Sequence, residues 1–173
     1  MLDEMRILTV RQPWAWAIIH GCKDVENRAR NLAGDYRGPV AIHAAAVYDR
    51  SADEHPEIRR MAEARGASSM REYLIPYGQR AYRHIAGVVD LVDVHRAGAH
   101  YNPIGAGVSQ IDLSKQSCCS PWGERGAHHL VLANPRPLPK PIPYRGALGL
   151  RRLDEETITK ITAALAAGEG TNR

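Results

Sequence analysis

From residue 21 to residue 28 the chain runs Gly-Cys-Lys-Asp-Val-Glu-Asn-Arg, and Arg11-Gln12-Pro13-Trp14 begins ten residues earlier. Lys23 and Arg28 are the residue types that hold a phosphate or a carbonyl oxygen. Glu26 is suited to accept the N–H groups of a base edge, or to take a proton as a general base. In a regular strand Glu26 and Arg28 share a face and Lys23 points away from them. A joint site therefore demands an irregular corner, and Gly21, at the end of an apolar helical run, supplies the backbone freedom for one. The plain alternative is a solvated edge strand carrying a Glu26–Arg28 ion pair, because charged residues normally stay at the surface.

Other residues bid for a place beside this cluster. Trp14 and Trp16 lie two apart on a helix and cannot share a face, so one is expected in the core and the other near the cleft. Trp122 sits on a glycine- and proline-rich stretch and is the better candidate for stacking on a base, an interaction that contributes about 1–3 kcal/mol; otherwise it anchors its loop. His95, His100, Cys118, Cys119, His128 and His129 raise the question of a metal. Zinc sites usually pair ligands two to four apart, whereas adjacent cysteines or histidines diverge, so no metal site is expected. A divalent ion held by Glu26 with Asp90 or Asp93 enters only if the protein is a nuclease. His43, on an apolar stretch, reads as a hydrogen-bonded core residue. Arg136, Lys140, Arg145, Arg151 and Arg152 form a local basic group, either flanking the cleft or lining a solvated rim.

The elements that must position these residues are legible in outline. A chain of 173 residues is most economically one domain, long enough to bury roughly 70% of its unfolded surface. Ile7 to Val10 read as a strand, and Pro13 suits the first turn of a helix that ends at Gly21. Gly38 to Ala44 and Ile85 to Val94 read as buried strands, with Asp90 and Asp93 on opposite faces unless a bulge intervenes. Residues 48–83 alternate charge and apolar residues as two short amphipathic helices would. Residues 96–126 read as a long loop. His129–Leu132 and Ala147–Leu150 read as strands separated by the proline-rich run 135–143, and Asp154 caps a final helix. The expected fold class is α+β, a small, mostly antiparallel β-barrel of five to six strands with peripheral helices. The expected organisation is a single domain over 1–173, with a core of about 6–153, a helical insertion of about 48–83 and a C-terminal helix of about 154–167.

The net charge of +4 tilts weakly towards anionic partners. Three cysteines form no disulfide framework, and no apolar N-terminal segment of signal-peptide type is evident, which points to the cytoplasm. No apolar run approaches the roughly 20 residues needed to span a bilayer.

Leu8 to Ala15 with Gly21-x-Lys23-x-Val25-Glu26-x-Arg28 resembles the signature of the ASCH (activating-signal-cointegrator homology) domain. Gly38–Ala44, Ala86–Val94, His129–Pro135 and Gly146–Leu153 are similar to later strands of that family, and Ser120-Pro121-Trp122-Gly123 is similar to its bacterial and phage members. The resemblance spans about residues 6–153. It implies a PUA-like barrel, a fold associated with RNA and modified-base recognition, with the Gly-x-Lys-x-x-Glu-x-Arg segment lining a basic cleft. The implied first shell is Lys23, Glu26 and Arg28, with Arg11, Gln12, Trp14 and Trp122 beside them. The implied partner is RNA, single-stranded nucleic acid, a nucleotide or a nucleoside. Some members of the family are ribonucleases and others are amidohydrolases acting on N4-acetylcytidine. Here Lys23 and Glu26 would be the catalytic residues, but the amidohydrolase type carries Thr where this chain has Glu26, which removes the nucleophile. A protein-interaction adaptor is the third reading, and it predicts an exposed apolar patch on the 48–83 helices instead of a basic cleft.

Overall fold

A computed structural model describes residues 4–97 and 119–169. His100, Cys118 and most of the loop expected over 96–126 lie outside the described residues. The elements run β1 (Arg6–Gln12), α1 (Trp14–His20), β2 (Val25–Arg28), β3 (Gly38–Tyr48), α2 (Pro56–Glu63), α3 (Met70–Leu74), β4 (His84–Arg96), β5 (His128–Pro143), β6 (Leu150–Arg152) and α4 (Glu155–Glu169), with 3-10 segments over Arg50–Glu54 and Ile75–Ala81. Thus helical segments fill most of the 48–83 stretch, as four short pieces where two helices were expected. The last helix starts where Asp154 accepts the Thr157 N–H at 2.8 Å.

One six-stranded sheet runs in the order β2-β5-β4-β3-β1-β6. This α+β sheet corrects the expected barrel in two respects. It is mixed, because β1 pairs β3 in parallel while its other ladders are antiparallel. It is also open, because the two outer strands, β2 and β6, are four and three residues long and are not laddered to each other. The sheet curls enough that the Arg28 guanidinium of β2 donates to the Thr9 carbonyl of β1 at 3.0 Å. A side chain bridges the seam that a barrel would close with backbone hydrogen bonds.

The proline run is a second correction. Pro135, Pro137, Pro139, Pro141 and Pro143 belong to β5 itself. The ladder to β4 accommodates them because its register shifts on either side of the Gly87–Pro137 and Val88–Arg136 pairs, and the strand's other edge is open over the prolines. β2 pairs only with residues 128–131 of β5, so that edge needs no donors. Arg136 and Ile142 meet β4 at Val88 and Ile85, and Pro137 and Pro143 stand opposite Gly87 and His84. Pro is tolerated on such an edge.

Both faces of the sheet are covered, which explains why its inner strands read as continuous apolar runs. Leu8, Val10, Ile42, Val89 and Leu91 pack under Ile18 and Ile19 of α1. Ile7, Ala41, Ile85 and Val88 face the other way and pack with Ile161 of α4. A third cluster joins Ala17 and Val25 to Ala52, Ile58, Ala62, Met70 and Trp122, tying the helical segment to the corner after α1.

Candidate binding cleft

α1 ends in the irregular turn that the Lys23–Glu26–Arg28 cluster requires. The Ala17 carbonyl accepts from the Gly21 N–H at 2.8 Å and the Lys23 N–H at 3.0 Å. The residue in the left-handed region is Cys22, with φ 58°, whereas Gly21 has φ −119°. The turn was expected from the glycine's conformational freedom, so this is a correction. Gly21 is needed for space: a Cβ there would lie 3.0 Å from the Ala17 Cα and closer still to the Met61 sulfur.

The turn carries Lys23 to the Glu26 side. Its ammonium donates to the Val25 carbonyl and, at 3.2 Å, to Glu26 Oε2. The other oxygen, Glu26 Oε1, lies 3.0 Å from Arg28 Nη2. Lys23 is 4% exposed and Glu26 8%, so this is an almost desolvated pair with a half-buried third member. The ammonium also lies 5.6 Å from the Trp14 ring centroid and 5.9 Å from that of Trp122, within reach of a cation–π attraction.

These groups form part of a cleft of about 430 Å³, lined also by Thr9, Arg11, Asn27, Asp49, His55 and Glu124 and by residues 147–149. It opens at the seam between β2 and β1. Trp14 donates its indole N–H to Asp49 at 3.1 Å. Trp122, 6% exposed, stacks on His55 with centroids 5.1 Å apart and planes 3° from parallel. Its loop is pinned by Asn27, which donates to the Trp122 carbonyl at 2.8 Å and accepts the Glu124 N–H at 3.0 Å.

Of the residues singled out in the sequence, Arg11, Trp14, Lys23, Glu26, Arg28 and Trp122 all line the cleft, and Gln12 does not. Gln12 is 3% exposed; it donates to the Ala81 carbonyl at 2.7 Å and accepts the Trp16 N–H at 3.0 Å, clamping the start of α1 to the helical segment. Trp16 faces that segment, with the Arg65 guanidinium 4.4 Å above its ring. Trp122 forms a wall, covered by His55 on one face, and not an open stacking platform. Asp90 bonds Arg136 and Asn134, and Asp93 bonds His95; neither lines the cleft, so neither joins Glu26 around an ion. His43 is a buried residue bonded to the Tyr144 carbonyl at 3.0 Å. Asn27, Asp49, His55 and Glu124 were not singled out, because nothing local marks residues that reach the cleft from separate loops.

The lining balances its charges, with Arg11, Lys23 and Arg28 against Glu26, Asp49 and Glu124. It is therefore not the basic cleft expected. Hydrogen bonding from Ser51, reinforced by Trp14, holds the Asp49 carboxyl below its usual range. Burial pushes the His55 imidazole down, and the Lys23 ammonium pushes it further; burial also lowers His43. Both are depressed relative to 6.5, so folding favours their neutral forms. The unfolded chain binds protons more readily as pH falls, so this stability is complete above 6.5 and is lost below it. The thermal midpoint is expected to hold between about pH 8 and 7 and to fall towards about pH 5, with a shallower fall in His55→Gln. A midpoint rising on acidification would contradict this assignment.

The helical segment also exposes Ile75 and Tyr77 beside a second, apolar cavity that includes Leu74, Ile75 and Tyr82. Among the described residues, no helix is long and apolar enough to cross a membrane.

The Gly-x-Lys-x-x-Glu-x-Arg segment thus lines a charge-balanced, tryptophan-walled cleft at the open seam of an α+β sheet. The family model for the ASCH domain matches residues 8–141, and the chain belongs to the ASCH family. Among solved structures, it is similar to the ASCH protein of Zymomonas mobilis, at 14% identity and a TM-score of 0.47, over 92% of this chain and 94% of that one. A point mutant of the same protein matches at 14% identity and a TM-score of 0.48, over 92% and 96%.

Proposed function

We propose that the cleft binds one nucleobase, presented by single-stranded RNA or as a free nucleoside or nucleotide. The observation that carries this reading is the buried Lys23–Glu26–Arg28 relay beside the Trp14 and Trp122 rings, in a cavity whose volume suits a small ligand. A base edge presents donors and acceptors side by side, and the relay offers both. Lys23 has three N–H donors, of which Val25 and Glu26 occupy two among the described residues; a ligand carbonyl oxygen suits the third. Glu26 Oε2 accepts a hydrogen bond from Lys23 and Oε1 is ion-paired with Arg28; each oxygen retains a lone pair for a base N–H. The balance of three cations against three carboxylates favours a nearly neutral base over a run of phosphates, which selects uninterrupted positive charge. The family resemblance to RNA and modified-base readers supports the same ligand class.

Both Glu26 oxygens being engaged by cations favours a fixed acceptor over a mobile base, so binding without turnover is the reading preferred to ribonuclease or amidohydrolase. No resident cofactor is invoked. The test is incubation of wild type and Lys23→Met with short single-stranded RNA and a nucleoside panel that includes N4-acylated cytidine, followed by mass spectrometry. Ligand retained unchanged by wild type and lost by the variant is the expected result. Cleaved or deacylated products that vanish in the variant would replace the binder with an enzyme.

A further inference from the structure

Against the Trp122 loop, where Gly123 and Glu124 touch His129, the fold assembles a second group of side chains. His95 of β4 and His129 of β5 are direct cross-strand partners, with rings 5.3 Å apart. Cys119 reaches them from the start of the Trp122 loop, with Sγ 3.3 Å from His129 Nδ1. One donor atom from each of the three lies within 4.8 Å of the others. We propose that His95, His129 and Cys119 bind a zinc ion that fixes the Trp122 loop against the sheet.

Hydrogen bonding sets the tautomers for this role. His129 is 1% exposed, and its Nε2 lies 2.8 Å from the Glu124 carbonyl. A carbonyl oxygen only accepts, so Nε2 carries the proton and Nδ1 turns its lone pair towards the Cys119 sulfur. His95 Nδ1 lies 2.9 Å from the Asp93 carboxylate, and a ring N–H donated there holds the imidazole in place. An imidazole whose other N–H is held by a carbonyl or a carboxylate is the arrangement that orients metal-bound histidines. Thiolate and imidazole together select zinc over hard cations such as magnesium or calcium.

The distances agree with this assignment. Zn–S of about 2.3 Å and Zn–N of about 2.0–2.1 Å give a tetrahedral S···N edge of about 3.5 Å, close to the 3.3 Å between Cys119 and His129. The widest separation, within 4.8 Å, leaves roughly 1 Å for the exposed Cys119 and the half-buried His95 to take up on binding. Gly123 lies flat on His129: a Cβ there would sit 2.6 Å from the ring's Cε1, so the loop already cradles the ligand. On binding, the Cys119 thiol gives its proton to solvent and the thiolate donates an electron pair to zinc. The described residues supply three of the four tetrahedral positions.

Zinc and its spectroscopic surrogate cobalt(II) are the probes, added to the full chain after treatment with chelator and reductant. One ion per chain is expected. Cobalt should give the visible bands of a tetrahedral site and a near-ultraviolet thiolate-to-cobalt band that is absent from Cys119→Ser. The thermal midpoint should rise with free zinc in wild type and stay flat in Cys119→Ser and His95→Ala. Zinc should also protect the Cys119 peptide from alkylation, a readout that needs only the wild-type fold. Sub-stoichiometric binding, a charge-transfer band that persists in Cys119→Ser, or alkylation unaffected by zinc would each overturn the site. Because these readouts involve no nucleobase, the proposal stands or falls independently of the cleft's ligand.

Discussion

Glu26→Gln is expected to cost about 3–5 kcal/mol of folding stability, measured by urea denaturation at neutral pH, whereas Lys23→Met is expected to cost only about 1–2 kcal/mol. The asymmetry follows from who is left behind. Glu26 is the shared counter-ion of Lys23, at 3.2 Å, and Arg28, at 3.0 Å. Removing its charge leaves the ammonium, 4% exposed, beside a guanidinium with no carboxylate between them. Breaking a buried pair from one side leaves an uncompensated buried charge, which dominates the penalty. Removing Lys23 instead leaves Glu26 bonded to Arg28, and the Met side chain fills the space beside Trp14 and Trp122. Adding Lys23→Met to Glu26→Gln is accordingly expected to recover part of the loss, a coupling that a double-mutant cycle reads directly. Equal losses from the two single variants would contradict the shared-counter-ion arrangement.

Trp122→Ala carries the second large effect, a loss of about 3–5 kcal/mol, with Trp122→Phe retaining most of the stability. The indole is 6% exposed, stacked on His55 and set edge-on to Trp14 at 6.5 Å. Truncation opens a cavity between the helical segment and β2 and removes one of the two rings beside the Lys23 charge. Phenylalanine keeps an aromatic face for His55 and forfeits only the remainder of the indole. Denaturation midpoints of the three proteins check this order. An alanine variant as stable as wild type would show that Trp122 is a solvated lid and not a packed wall.

Local chemistry explains how much of this was readable in advance. α1 follows from apolar spacing between Pro13 and Gly21, and the Lys23–Glu26–Arg28 grouping from residues only five apart. Sheet closure was not readable, because it depends on whether two strands of four and three residues meet across the molecule. The proline run misled because prolines usually break strands; here one edge of β5 has no partner strand beyond residue 131, and the ladder on the other edge shifts register around them. The left-handed residue of the corner is Cys22 and not Gly21; the glycine is required for space, because Met61, some forty positions away, lies where its Cβ would stand. The His95–Cys119–His129 group was passed over because each adjacent pair diverges, and the fold uses one member of each. Cross-strand register, invisible in a single sequence, makes that grouping.

The central claim, that the cleft reads one nucleobase through Lys23 and its relay, is tested most directly by calorimetric titration of uncharged nucleosides at low and high salt, with wild type beside Lys23→Met. One site per chain is expected, with an affinity nearly independent of salt because no phosphate counter-ions are released, and a loss of about 10–100-fold in the variant as a charged hydrogen bond disappears. The contradicting result is no nucleoside binding at all, with RNA bound steeply salt-dependently and equally well by both proteins.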